Sequence, residues 1–228
     1  MSLDAETVFS LHVFNHTINV TNSIVIQWAV MVIITVLVIA LTKDFKKIPG
    51  KRQSVIEMIV GFISNFVSDN MGDKYKSFIP FIGTMGIFLL FLNLTGLVGV
   101  EPSTKDINVT AGFALISFVV INANAFMKIG IKGYGKKLVR PYALMFPMNL
   151  LEKFTLPFSL CLRLFCNMLV GSIILGLLYQ LLIYVSYITP FVIPIPFHFF
   201  FDVFDGIIQV YIFMILTMLY TKMGAEEE

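Results

Sequence analysis

The chain has 228 residues, of which 57% are apolar and only 13% charged, with a formal net charge of +2. A mean hydropathy of +0.88 excludes an ordinary water-soluble domain of that length. Several apolar runs approach the ~20 residues that cross a bilayer, so the sequence predicts an all-α polytopic membrane protein in one membrane domain over 1–228: about five membrane-embedded helices and one amphipathic interfacial helix.

The elements follow in chain order. The start, with Asp4 and Glu6, is polar and weakly acidic, and it has no basic stretch followed by a cleavable small-residue site, so no signal peptide is expected. The first span covers 24–42, with Trp28 near its outer end as an interfacial aromatic. Lys43, Lys46, Lys47, Lys51 and Arg52 follow against the single acid Asp44. The positive-inside rule makes this loop cytoplasmic and the N-terminus external. Over 54–70, Ser54 and Glu57 read as a capping box, and Val55, Ile56, Ile59, Phe62, Ile63, Phe66 and Val67 share one face. This is the amphipathic helix, lying in the interface or packed on the rest of the protein.

The span at 77–100 contains Gly83, Gly86, Gly96 and Gly99, small residues that let helices approach closely, and the polar Asn93. Glu101–Asn108 reads as a short outer turn, and 109–127 returns inward. Lys128–Arg140 has five basic residues and no acid, a second cytoplasmic loop lying near anionic lipid. Gly130 to Lys136 matches most of a phosphate-binding loop. However, Lys137 stands where Ser or Thr should bind magnesium, and no strand precedes it, so no nucleotide site is expected. The apolar stretch 147–188 is about twice the hydrocarbon thickness if helical, so it must tilt strongly or break, with Pro157 the expected kink. Thr189–Pro196, with three prolines, reads as a non-helical hairpin turn, and 197–223 is the returning helix, so the last two elements form a long tilted hairpin.

The chemistry concentrates in that hairpin. Arg163 lies inside an apolar run, and a guanidinium does not deprotonate in proteins. A charge at membrane depth is costly and marks function by default, although snorkelling or a structural ion pair would also accommodate it. Arg163, Asn167 and Gly171 share one face of their helix, and Asp202, Asp205 and Gln209 share one face of the next. An antiparallel register that opposes Arg163 and Gln209 also brings Ser172 near Asp202, with Ser172 half a turn off the arginine face. Asp202 lies towards the outer turn and Glu152 towards the inner end, with Arg163 between them, an order that fits two half-paths separated by a positive barrier. Polar glue between helices is the plainer alternative. His198, among phenylalanines, reads as an interfacial residue rather than a proton relay. Cys161 and Cys166, five positions apart on a helix, point in different directions and serve as small hydrophobes, with neither a disulfide nor a metal site.

These residues carry a family likeness. SLCLRLFCNMLVG over 159–171 resembles the signature of subunit a of F-type ATP synthases, the stator of a membrane rotary motor. Pro102–Thr110 is similar to the family's outer-loop motif and Gln209–Tyr220 to its last helix, so the resemblance covers nearly the whole chain. It implies a subunit with two offset ion half-channels facing a ring of c subunits, each with an ionisable carboxylate. Arg163 matches the essential arginine that keeps the passing carboxylate ionised and blocks leakage. Gln209 and Asn167 match the polar residues beside it, Asp106 and Asn108 the outer access path, and Glu152 an inner acidic position. Ser172 stands where some members have an acid or His, and Asp202 where some have His or Glu, so the outer relay rests on Asp202. Cys166 replaces the usual Gly after Arg-Leu-Phe. The implied partners are the c-ring, peripheral-stalk subunit b, membrane lipid and a translocated proton or sodium ion, with no nucleic acid. No cofactor is implied, and nucleotide chemistry belongs to other subunits. The expected location is a bacterial plasma membrane, with the C-terminus cytoplasmic.

Two other classes of function compete with this one. A self-sufficient transporter would show internal repeats or paired broken helices, and none is visible. A purely structural subunit would not need Arg163 or Asp202 at depth.

Overall fold

A computed structural model describes residues 7–13, 16–43, 45–46, 50–100, 102–139, 146–185 and 189–225. The membrane part is all-α. Five helical stretches, 22–42, 73–98, 107–130, 146–184 and 194–225, are long and apolar enough to cross a bilayer.

A small feature precedes them that the sequence reading did not include. Strands β1 (Thr7–Val13) and β2 (His16–Thr21) pair antiparallel, with His12 opposite Thr17 and Val13 opposite His16. Runs such as TVFSLHV and HTINVT are rich in β-branched residues, which suits them to a pleated ribbon. Helix α1 (Asn22–Thr42) follows directly. Val30 is its only buried residue, so nearly all of its apolar surface is left for lipid or a neighbour.

Helix α2 (Lys51–Met71) begins one turn earlier than the capping box predicts. Its N-cap is Gly50, and the amide of Ser54 donates to the Gly50 carbonyl at 2.9 Å, so Ser54 lies inside the helix. Glu57 instead accepts from Gln53 Nε2 at 2.9 Å. Lys51, Arg52 and Gln53 are good helix formers, and they extend the helix back to the glycine. The C-terminal half of α2 packs on the molecule: Val67 and Met71 are buried with Tyr75, Ile82 and Met218, and Phe66 meets Tyr211 at 5.6 Å between ring centroids. Its first half keeps Val55, Met58, Ile59 and Phe62 exposed.

A 3-10 segment (Asp73–Phe78) leads into α3 (Ile79–Leu94). The outer turn does not project from the bundle. Ser103 and Thr104, in a 3-10 turn, are buried, because the hydroxyl of Thr104 donates into the bundle to Asn93 Oδ1 at 3.2 Å. Helix α4 then runs from Ile107 to Val139, and here the expected basic loop is overturned. Residues 131–139 are helical, set off from the first part of α4 only by Gly130 at φ 72° and ψ 166°. That left-handed backbone favours glycine, and it lets the helix break without ending. The same helicity removes the phosphate-loop geometry, which requires a strand-to-helix loop. Arg140 lies outside the described residues.

Helix α5 (Phe146–Val185) is a single helix of 40 residues, so Pro157 does not end it. Neighbouring helices can satisfy the backbone groups that a proline frees in a membrane helix. At 1.5 Å per residue it is about 60 Å long and therefore steeply tilted. Residues 186–188, the end of the stretch read from the sequence, are outside the described residues. The hairpin turn also departs from expectation. It contains two short helices, α6 (Thr189–Val192) and α7 (Pro194–His198). Their prolines sit in first turns, where a missing N–H has no intrahelical partner to lose. A π-helical segment, Phe199–Asp205, joins α7 to α8 (Gly206–Ala225).

The core lies where α3, α4, α5 and α8 meet. Leu89 and Leu92, Phe113 and Ala114, Leu160 and Leu164, and Val210 and Phe213 are its main side chains. Two helices, α5 and α8, therefore have one side fixed in the core and an opposite side free. Phe158, Leu162, Val170, Leu177 and Leu181 are exposed along α5, as are Phe204 and Ile207 on the returning arm.

Candidate functional site

The polar groups of the hairpin divide into a central and an upper cluster. In the central one, Arg163 and Asn167 stand one turn apart on α5, and Asn167 Nδ2 donates to Gln209 Oε1 of α8 at 2.8 Å. Gln209 therefore faces Asn167, one turn further along than the register that opposes it to Arg163. Gln209 is only 2% exposed, and its Nε2 has no hydrogen-bond partner among the described residues. Burying half an amide unpaired is costly, so this donor is poised for a partner that the described residues do not supply. Among the described residues, no hydrogen bond or ion pair engages the guanidinium of Arg163, which is half-buried beside the exposed apolar stripe of α5. The structural ion pair that would make this arginine mere scaffolding is therefore not formed within the described chain.

The upper cluster surrounds Asp202. The π-helical segment that holds it widens the local turn, and such bulges commonly occur at functional sites. The widened turn also breaks the common face read from simple helical spacing: Asp202 and Gln209 are buried, whereas Asp205 is half-buried and unbonded among the described residues. Asp202 Oδ2 lies 2.8 Å from His198 Nδ1, and His198 Nε2 lies 3.1 Å from the Tyr179 hydroxyl of α5. The expectation of an isolated interfacial His198 is thus corrected. Its i, i+4 spacing to Asp202 was visible in the sequence, but the contact with Tyr179 needs the fold. Gly96, just after α3, completes the pocket. A Cβ at that position would lie 2.8–3.0 Å from all three carboxyl atoms of Asp202, so only glycine lets the acid sit there. Below it, Asn93 Nδ2 donates to the Gly206 carbonyl at 3.4 Å while its oxygen accepts from Thr104, which ties the outer turn to the hinge between the π segment and α8.

Other expected residues lie elsewhere. The Ser172 hydroxyl donates to its own helix at the Met168 carbonyl, 2.8 Å away, and among the described residues no hydrogen bond joins it to Asp202. Its half-turn offset explains this. Asp106 accepts from the Asn108 amide at 3.0 Å and so caps α4. Both residues line a separate cavity of about 820 Å³ between α1, α3 and α4. Glu152 is in the second turn of α5, and its side chain lies outside the described residues. Cys161, half-buried, has its Sγ 3.6 Å from the Thr110 hydroxyl; Cys166 is exposed on the free stripe, and both are unbridged.

Residues 24–222 match the family model described as ATP synthase A chain. The chain belongs to this family. It is 33% identical over 219 residues to the ATP synthase subunit a, sodium ion specific, of Propionigenium modestum, covering 89% of this chain and 73% of that protein. It is 34% identical over 215 residues to ATP synthase subunit a of Geotalea daltonii, covering 90% and 88% respectively. To the Moorella thermoacetica subunit a it is 29% identical over 204 residues, covering 89% and 90%. As an ATP synthase A chain, it is a multi-pass membrane subunit of the ion-driven part of that complex.

Proposed function

We propose that the hairpin of α5 and the π segment with α8 is the stator face against which the rotor of the ATP synthase turns, with Arg163 at the point of ion transfer. The unpaired, half-buried guanidinium beside an apolar stripe supports this reading. The stripe suits a ring of apolar c-subunit helices, and the arginine suits a ring carboxylate passing it. A fixed cation opposite a carboxylate in a low dielectric favours the charged form, so the carboxylate releases its ion as it arrives and cannot carry it straight across. The Asn167–Gln209 pair leaves one amide donor free next to this point, positioned to share the carboxylate and keep the ion pair from becoming a trap.

In this reading two offset half-paths meet at Arg163. Asp202, helped by Asp205, serves the outer one and Glu152 the inner one. Asp106 and Asn108 lie on the outer approach, and Ser172 bounds it. The subunit performs no nucleotide chemistry itself. It couples ion flow, of protons or sodium ions, to rotation and so to ATP synthesis by its partners. Subunit b and lipid cover the exposed face of α1. The basic runs after α1 and beyond Gly130 support an external N-terminus and a C-terminus in the cytoplasm of a bacterial cell.

The test is ion-gradient-driven ATP synthesis in membrane vesicles containing Arg163→Ala in a complex shown to assemble. Synthesis should fall to background. Near-normal synthesis would remove Arg163 from the mechanism and leave the chain a structural subunit.

A further inference from the structure

We infer that the slot between α1, α3 and α4 is a phospholipid site, in which an acyl chain lies along the slot and a headgroup bearing a primary ammonium is held at its mouth by Asp106. The mouth is at the end of the helices that the proposed topology puts outside. Neither the slot nor the acid at its end involves Arg163 or the hairpin of α5 and α8.

The slot has the length of a lipid tail and the bulk of a ligand site. Its lining on α1 runs from Thr21 to Val38, about 25 Å at 1.5 Å per residue, close to the ~30 Å of the hydrocarbon core. On α4, Val109, Gly112, Phe113 and Ile116 line it from one face. A glycine in a membrane bundle normally lets two helices close up. At Gly112 no atom lies within 4 Å of the place a Cβ would take, so no helix has closed on it. The space left is about 820 Å³, within the range of small-molecule sites. Met31, Val38 and Ile116 are exposed, so the slot opens sideways to the bilayer, from which a chain can enter.

Its chemistry changes from one end to the other. The hydroxyls of Thr35 and Thr84 donate at 2.7 Å to the Met31 and Pro80 carbonyls of their own helices, and Gln27 Nε2 donates to the Ser23 carbonyl at 3.3 Å. These donors are therefore committed. A buried water needs two to four polar partners, and a hydrocarbon chain needs none, so the inner length suits the chain. The mouth is different. Asp106 is half-buried there; one carboxylate oxygen accepts from the Asn108 amide at 3.0 Å, and the other has no partner among the described residues. No lysine or arginine among the described residues pairs with it. A carboxylate in this setting repels an anionic headgroup and attracts a cationic one, and a primary ammonium adds N–H donors for its free oxygen. Asn108, which lines the same mouth, has a side-chain amide suited to donate to the adjoining phosphate.

The test uses the purified, assembled complex in nanodiscs. The probe is a phosphatidylethanolamine with a photoreactive diazirine in its acyl chain, and peptide mass spectrometry locates the label. Label should appear on the slot-lining residues of α1, α3 and α4. Excess unlabelled phosphatidylethanolamine should displace it about tenfold more effectively than phosphatidylglycerol with the same tails. Gly112→Leu fills the slot without meeting an atom at its Cβ, and leucine is the better helix former, so α4 should persist while labelling of the lining falls by about tenfold. Asp106→Asn should keep the tail label and lose the preference between the two headgroups. Label absent from the lining, or unchanged by Gly112→Leu, overturns the site. Equal displacement by the two lipids in the unaltered complex overturns the headgroup assignment. If Gly112→Leu does not assemble, the position of the label and its displacement in the unaltered complex decide. Arg163→Ala should label as the unaltered complex does, so the lipid site and the stator reading stand or fall separately.

Discussion

Gly96→Ala is the smallest change that should disable the outer path without touching an ionisable group. The added Cβ would fall 2.8 Å from Asp202 Cγ, 2.9 Å from Oδ1 and 3.0 Å from Oδ2. Ordinary contact for such atoms begins near 3.4 Å, so the carboxyl must retreat by about half an ångström or rotate away. It is held on its other side by His198 Nδ1 at 2.8 Å. A shift or rotation therefore lengthens or breaks that bond. A hydrogen bond to a charged group contributes ~1.5–3 kcal/mol, and an off-rotamer side chain costs a further ~0.5–1.5 kcal/mol. If the lost interaction is felt in the transfer step, ion flux falls by roughly 10- to 100-fold. The assay is passive proton flux through the membrane sector stripped of its catalytic head, with assembly checked by subunit co-purification. Because the collision is with Asp202 itself, Gly96→Ala in an Asp202→Ser background should cost almost nothing more than Asp202→Ser alone. Wild-type flux in Gly96→Ala, or full additivity of the two changes, would refute the claimed contact.

Asn167→Leu should destabilise the purified complex more than Gln209→Leu. The first strands both buried amide atoms of Gln209, at ~1–3 kcal/mol for a stranded group, while the second removes them; thermal melting of both variants decides. Gly130→Ala should cost ~1–2 kcal/mol, because φ there is 72° with open space around it, so strain rather than collision is what melting would read. Lys128 Nζ stands 3.5 Å above the Tyr75 ring centre, and a double-mutant cycle of Lys128→Met with Tyr75→Leu should return a coupling of ~0.5–2 kcal/mol; zero coupling would show the pair to be incidental. Cys166 should alkylate faster than Cys161 in detergent, and in the assembled complex it should cross-link to a cysteine placed beside the rotor carboxylate. Cross-linking at Cys161 instead would put the rotor on the wrong face of α5.

The sequence was most legible where solvent physics alone decides. The bilayer demands long apolar helices, so the all-α membrane class was readable from composition. Reading failed where one local signal outweighed another or where the helix departed from uniform turns. Ser54 and Glu57 have the spacing of a helix start, yet Gly50 and three helix-forming residues begin α2 a turn sooner. The face shared by Asp202, Asp205 and Gln209 assumed a uniform turn, which the π segment does not have. Helical periodicity cannot reveal such a segment, because its signature is a departure from that periodicity.

This departure bears on the mechanism. A polar residue at membrane depth is affordable only with a partner, and simple α spacing would align Asp202, Asp205 and Gln209 along one seam against α5. The π turn instead tucks Asp202 into the pocket made by Gly96, His198 and Tyr179, while Gln209 meets Asn167 beside Arg163. Two polar clusters result, each with its own partners, and among the described residues neither contains an acid bonded to the arginine. In the proposed stator reading, an acid of the chain placed against Arg163 would neutralise the cation that a rotor carboxylate meets. Keeping Asp202 bonded to His198 instead leaves Arg163 uncommitted, and the widened turn is the local device that separates them.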